Sequence, residues 1–329
     1  VKIWALLAIA VGLVYGALVV AKAAPADTAQ SLIQGSLGSA KALEGTMKHF
    51  TPLLIAGVAV FFALRAGLFN IGVEGQFTVG ALVCAVVALR MPGWLGLIAG
   101  ILAAAVAGAL WAYPAGWIKA MRGGHEVIST IMLNNIAGQL STAAVAGPFK
   151  DPNQQGTTTA SIDPALMLPS IWQDPRISAA LLVAVLFVIG IWRWLGRTVP
   201  GYELQAAGAN PRAATLAGID APKVTIRAMA ISGAIGGIAG ALQVVAYEGR
   251  FFAGFSSGYG FDALGVALLA GSNPLILFPS AALFAILAKG STTIQVMNGV
   301  PKGISFVILG LLIVIFAAIR YRKVPVKES

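Results

Sequence analysis

Nine stretches of this 329-residue chain contain no charged side chain and are dominated by apolar ones: 3–21, 50–64, 75–89, 91–118, 127–149, 177–192, 228–247, 263–288 and 303–319. A helix needs roughly 20 such residues to cross the hydrocarbon core of a bilayer. Backbone polar groups find no water there, so repeated crossings by single runs of this length imply helices. The expected fold is therefore all-α, a polytopic membrane helical bundle. Charge content agrees: 10% of residues are Asp, Glu, Lys or Arg, against about 25% in a soluble domain. The 39 glycines and 16 prolines suit transmembrane helices, where both residues are tolerated, and do not signal disorder here.

The last long run, 263–288, exceeds one ordinary span and is interrupted by Gly271-Ser272-Asn273-Pro274. It is read as two elements, about 258–271 and 274–290, the first broken or re-entrant within the bundle. That gives about ten transmembrane segments, with eight or nine as alternatives. The run 3–21 ends near Ala21-Lys22-Ala23, which resembles a small-residue cleavage site, but its length favours a retained helix over a signal peptide. An even count puts both termini on one side. With the N-terminus inside, that side receives Lys2, Arg65, Lys119, Arg122, Arg193, Arg197, Arg212, Lys223, Arg227 and the tail Arg320, Arg322, Lys323 and Lys327. These are 13 of the 22 basic residues, and they cluster in short loops beside helix ends, where the positive-inside rule operates. Residues 148–176 are then an external loop, and 196–226 a cytoplasmic one, all within a single transmembrane domain over 1–329. Spaced apolar residues in 28–48 suggest an amphipathic helix on the outer surface.

The formal charge of +10 is explained by this loop bias. The charges form no continuous face, so a nucleic-acid partner is not expected. One cysteine, Cys84, excludes a disulfide within the chain. His125 has only His49 for company, far away in sequence, and no metal site is indicated.

Three polar motifs interrupt the apolar runs. Gly67-Leu68-Phe69-Asn70-Ile71-Gly72-Val73-Glu74-Gly75-Gln76 permits an unwound backbone, and Asn70, Glu74 and Gln76 can bond freed peptide groups or a solute. Two readings stand: a helix break beside a transport path, or a tight turn with Glu74 capping the helix that follows. In Gly123-Gly124-His125-Glu126-Val127 and onward, Glu126 suits a helix N-terminus, while Asn134 and Asn135 lie two turns deeper. They either line an aqueous path or bond between helices. Gly201 to Ala214 contains a short helix from Leu204 to Gly208, closed by Gly208 and Asn210-Pro211. It is either a docking element for a cytoplasmic partner or an ordinary interfacial loop. Gly233, Gly236, Gly237 and Gly240 form overlapping small-xxx-small patterns, which serve close helix packing. No lysine follows a glycine, so a P-loop is absent.

The motifs GLFNIGVEGQ (67–76), GGHEVISTIMLNNIA (123–137), GYELQAAGANPRAATLAGI (201–219) and GYGFDALGVALLAGSNP (258–274) resemble permease subunits of ATP-binding cassette importers. The similar superfamily is that of branched-chain amino acid, ribose and nucleoside permeases, and the likeness is closest to bacterial nucleoside permeases. The resemblance runs over essentially the whole chain. It implies a type II importer-like bundle in the bacterial cytoplasmic membrane, working as a dimer, here a heterodimer with a second, related permease. Two cytoplasmic ATPase subunits would hold the Mg-ATP, leaving this chain with no cofactor of its own, and an external binding protein, often a lipoprotein, would deliver solute. By the family pattern Glu203, Leu204, Ala207, Gly208 and Asn210 belong to the ATPase-coupling loop. Asn70, Glu74, Gln76, Asn134 and Asn135 lie in motifs characteristic of the group and are the candidates for the translocation pathway. His125 stands where the pattern has a small polar residue.

The function this implies is import of a small polar solute, a nucleoside first, with a sugar or other small solute as the alternative. An ion-coupled secondary transporter is the next class. Such carriers place ionisable residues at mid-membrane, whereas Glu74, Glu126, Glu248 and Asp262 lie at the ends of runs. A membrane-embedded enzyme would need acid, base or metal constellations that the sequence does not display.

Overall fold

The structure is a computed structural model, and it describes residues 24–256 and 258–298 together with 303, 307 and 310. Eleven α-helices occur among the described residues: α1 Pro25–Leu37, α2 Ala40–Arg65, α3 Val73–Arg90, α4 Gly93–Arg122, α5 Glu126–Ala146, α6 Ala180–Arg197, α7 Val199–Ala209, α8 Pro211–Leu216, α9 Ala221–Gln243, α10 Tyr259–Ala270 and α11 Leu277–Asn298. Six helical stretches are long and apolar enough to cross a membrane: α2, α3, α4, α6, α9 with its extension to Glu248, and α11 with the turn from Pro274. The 21-residue α5 falls outside that set because Glu126, Asn134, Asn135 and Gln139 dilute its apolar content. The expected crossing at 3–21 lies outside the described residues, as does that at 303–319 apart from three helical positions.

The chain divides into two compact units. The described part of the smaller one comprises 24–50, 172–177 and 279–298 with the three isolated positions. Here the expectation of one surface helix over 28–48 is corrected. The Gly38 amide bonds the Gln34 carbonyl at 3.0 Å and ends α1, and Ser39 Oγ accepts the Ala42 amide at 3.1 Å and starts α2. The second half of that segment is therefore continuous with the apolar run. Thr46 Oγ donates to the Ser36 carbonyl at 2.7 Å and ties the two helices together.

The larger unit, 51–171 and 178–278, holds the core. Every residue from Thr51 to Ala63 is buried, so this part of α2 is enclosed on all sides, as an all-apolar helix must be. Helix α9 packs against α3 and α4 through its glycines. Gly233 and Gly237 lie on the backbone of Gly108 and Ala104 in α4, and Gly240 lies on the Phe77 carbonyl of α3. A Cβ at any of the three would overlap main-chain atoms. Without a hydrophobic gain between helices in lipid, such close van der Waals contact is what holds them.

In the segment expected to be an external loop, the chain makes one short turn of helix, Pro164–Leu166, followed by a hairpin of β1 Ser170–Gln173 and β2 Arg176–Ser178. Its first part is stitched to the residues after α9. The Thr159 amide bonds the Phe251 carbonyl at 2.9 Å, and the Ile162 amide bonds the Gly249 carbonyl at 2.7 Å. At 12 residues, α10 rises only about 18 Å, well short of a bilayer core of about 30 Å. It begins after Gly258 and ends at Gly271, both at positive φ, which gives the broken element the sequence foretold.

Candidate functional site

The segment 66–72 leaves α2 and enters α3 through a turn built around Asn70, which is fully buried. Its side chain and that of Gln76 face each other amide to amide. Asn70 Nδ2 donates to Gln76 Oε1 at 3.0 Å, and Gln76 Nε2 donates to Asn70 Oδ1 at 3.1 Å. Asn70 Oδ1 also accepts the Gly72 amide at 3.0 Å. The second Nδ2 proton goes to Ser232 Oγ of α9 at 2.8 Å, while Ser232 donates its own proton to the Ala59 carbonyl of α2 at 2.7 Å. Since the serine proton is engaged, its oxygen must accept, which fixes the orientation of the asparagine amide. Three helices thus meet on one closed polar cluster, with its polar atoms paired as burial requires.

Asn134 joins the same turn from α5. Its Nδ2 donates to the Ile71 carbonyl at 2.9 Å, and its Oδ1 accepts the Gly75 amide at 2.9 Å. The two groups lie four residues apart, the carbonyl and amide that a continuous helix would pair with each other, so Asn134 replaces a hydrogen bond that the break removes. Asn135, one residue on and about 100° around the helix, is exposed and, among the described residues, bonds only the Ile131 carbonyl of its own helix, at 3.1 Å. Of the five pathway candidates, the structure brings Asn70, Gln76, Asn134 and Glu74 to one turn and sets Asn135 apart.

Glu74 stands in the first turn of α3, and its carboxylate Oε2 accepts the Gly260 amide at 2.7 Å, so its hydrogen bond caps α10 as well. The N-termini of the two helices converge there, with a Cβ at Gly260 overlapping the Glu74 backbone. Phe77 and Tyr259 stack beside the contact with ring centroids 5.3 Å apart. Two positive helix ends share one carboxylate, a favourable arrangement for both dipoles. Glu126 stands at the first position of α5 as expected. It pairs with Lys119 of α4 at 2.9 Å and receives the Phe69 amide at 3.5 Å.

The 196–226 segment is more helical than the sequence suggested. Thr198 Oγ accepts the Gly201 amide at 3.1 Å and starts α7 at Val199, five residues before Leu204. Asn210 ends α7 and caps α8, accepting the Ala213 amide at 3.1 Å. Leu204 and Ala207 turn inward and are buried, Gly208 lies on the backbone at Ala66 and Gly67, Glu203 is half-buried, and Asn210 is exposed. Arg65 at the end of α2 hydrogen-bonds Gln205, so this segment grips the turn that carries Asn70. The outward side chains are Val199, Tyr202 and Leu216, at 71%, 67% and 91% exposure. Tyr202, Leu216 and Gly260 lie inside the quoted motifs without having been singled out there, and Val199 and Ser232 lie outside them. Ser232 alone carried a signal, as a lone hydroxyl within an apolar run.

The sequence has known relatives. The chain is 34% identical over 335 residues to the guanosine ABC transporter permease protein NupP of Bacillus subtilis, covering 98% of this chain and 96% of that protein. It is 32% identical to the glucose ABC transporter permease protein TsgB13 of Haloferax volcanii, over 97% and 86% of the two chains. It is 28% identical to the nucleoside ABC transporter permease protein NupB of Lactococcus lactis, over 96% and 90%. The family described as branched-chain amino acid transport system / permease component matches residues 42–317. With that match, full-length relatives and repeated apolar helices, the chain is a multi-pass membrane protein that belongs to this permease family.

Proposed function

We propose that this chain is the membrane-spanning permease of an ABC importer that moves a nucleoside across the bacterial cytoplasmic membrane, with ATP hydrolysed by separate subunits. The observation that carries the reading is the full-length likeness to a guanosine permease, joined to an outward-facing segment suited to a motor. In that segment Leu204, Ala207 and Gly208 fasten α7 to the bundle and leave Val199, Tyr202 and Leu216 to meet a cytoplasmic ATPase. Glu203 and Asn210 border that surface. The Arg65–Gln205 bond passes its displacement to the Asn70 turn. Asn70, Glu74, Gln76 and Asn134 set the helix break flanking the route, and Asn135 faces it. Both termini are cytoplasmic, 148–176 is external, a second permease completes a heterodimer, and a lipoprotein binding protein delivers the solute. A sugar is the second reading, favoured by the glucose permease at similar identity.

The test is uptake of labelled guanosine and glucose in cells expressing this chain with its ATPase, second permease and binding protein. Guanosine uptake that stops on inactivating the ATPase supports the proposal. Uptake of glucose alone selects the second reading, and uptake driven by an imposed ion gradient without ATP overturns both.

A further inference from the structure

Helix α5 buries Glu126, Thr130, Ala137, Ser141 and Val145, and its opposite side is exposed. That side carries two parallel stripes. One is apolar: Ile128, Met132, Ile136 and Leu140. The other is uncharged and polar: Asn135, Gly138 and Gln139 are exposed, and Thr142 is half-buried. The spacing i, i+3, i+4, i+7 puts these four on one edge, and the edge runs about 10 Å through the middle of the helix. Asn135 and Thr142 each donate to a carbonyl of their own helix, at 3.1 Å and 2.8 Å. Their acceptor oxygens remain available, and Gln139 makes no hydrogen bond among the described residues.

The helices before and after it in sequence behave otherwise. The exposed mid-helix residues of α4 are apolar, Leu102, Val106 and Leu110, and those of α6 include Leu186 and Ile189. Such faces suit lipid. Free amides at mid-bilayer do not, since each unpaired polar group there is expensive. The α5 edge must meet water, solute or protein, and it offers donors and acceptors with no formal charge.

We infer that the Asn135–Gln139–Thr142 edge lines the solute route and selects uncharged hydrogen-bonding solutes. This rests on the transport reading above and assigns to the α5 edge the selection against charged solutes. Amides and a hydroxyl match the exocyclic groups and hydroxyls of a nucleoside or sugar. They offer no counter-charge to the ammonium and carboxylate of an amino acid, whose desolvation would go uncompensated.

Single cysteines at 135, 139, 136 and 140 (N135C, Q139C, I136C, L140C), made with Cys84→Ala in the assembled transporter in membrane vesicles, test the inference. A charged methanethiosulfonate reagent, which reacts with thiolates in water, is the probe. The expected result is labelling of N135C and Q139C at least ten-fold faster than I136C and L140C. Guanosine or glucose, but not leucine, should slow the reaction at 139. Equal rates at all four positions overturn the inference. So does silence at 135 and 139, whether oxidation then cross-links them to the second permease (a subunit contact) or not (lipid). Protection by leucine, or by none of the three solutes, overturns the selectivity. Should intact transporter take up neither guanosine nor glucose while 135 and 139 still label selectively, the transport reading fails and the wet edge of α5 stands.

Discussion

The carboxylate of Glu74, in the first turn of α3, accepts the backbone amide of Gly260, in the first turn of α10, at 2.7 Å. An acid 186 residues away in sequence thus supplies the N-terminal cap of a short helix that has no side-chain cap of its own. Glu74→Ala removes the acceptor and leaves that amide without a partner, a loss of about 1–2 kcal/mol. Glu74→Gln keeps an acceptor oxygen and gives up only the charge, a smaller loss of about 0.3–1 kcal/mol. Thermal unfolding of the purified protein in detergent should rank wild type, Gln and Ala in that order. Equal melting temperatures for wild type and the Gln variant would remove the charge from the account.

The Asn70–Gln76 amide pair calls for a double-mutant cycle. Asn70→Leu leaves Gln76 and Ser232 with lost partners in a sealed site, and Gln76→Leu does the same to Asn70, each costing roughly 1–3 kcal/mol. The double variant should be less destabilised than the sum by about 1 kcal/mol or more. Strict additivity in detergent unfolding would mean that the two side chains do not act as a pair.

Glycine substitutions separate packing from flexibility. Gly237→Ala sets a methyl against the Ala104 carbonyl and should destabilise by about 1–3 kcal/mol. Gly190→Ala, in α6, meets nothing within 4 Å and should be neutral or stabilising by up to about 1 kcal/mol through helix propensity. Yield and melting temperature in detergent report both, and a loss at position 190 as large as that at 237 would contradict the packing argument.

The proposed coupling role of α7 is tested by function. Tyr202→Ala should lower co-purification of the ATPase subunits at least several-fold while leaving the melting temperature of the chain unchanged, because the ring is two-thirds exposed. Gln205→Ala should leave ATPase binding intact yet reduce the uptake per ATP hydrolysed, since it cuts the link to Arg65. Retained coupling in the second variant would move the transmission route elsewhere.

One pH effect has a definite sign. Asp220 caps α9, accepts the Lys223 amide at 3.1 Å and pairs with its ammonium at 2.7 Å. The side-chain bond to Lys223 holds the carboxyl below its ordinary range. Its contribution is therefore present above the unfolded-state value, near 4, and fades as pH falls through the lower folded-state value. Amide protection over 221–224, corrected for intrinsic exchange, should decline with acidification below that point, and Asp220→Asn should flatten the response.

Much of this was legible in the chain. The broken element at 258–274 was readable because Gly271 and Pro274 stop any helix, and the α9 glycines because their spacing repeats on one face. What escaped was pairing at a distance. Glu74 was visible as a helix-start acid, but nothing local distinguishes capping its own helix from capping one that begins at Tyr259. Asn134 and Asn135 look alike in sequence, and only the rotation of α5 against α3 turns one inward and the other out. The hairpin over 170–178 was missed because Ser-Ile-Trp-Gln and Arg-Ile-Ser are too short to display alternation.

Backbone-to-backbone seating of α9 on α3 and α4 has a mechanical corollary. Rotamer changes let ordinary helix interfaces slide, and Gly233, Gly237 and Gly240 bring no side chain of their own to the seam. These three segments should travel as one chassis while any gating displacement is taken up by the elements around them. Spin-label distances among α3, α4 and α9 should then stay fixed through a nucleotide cycle.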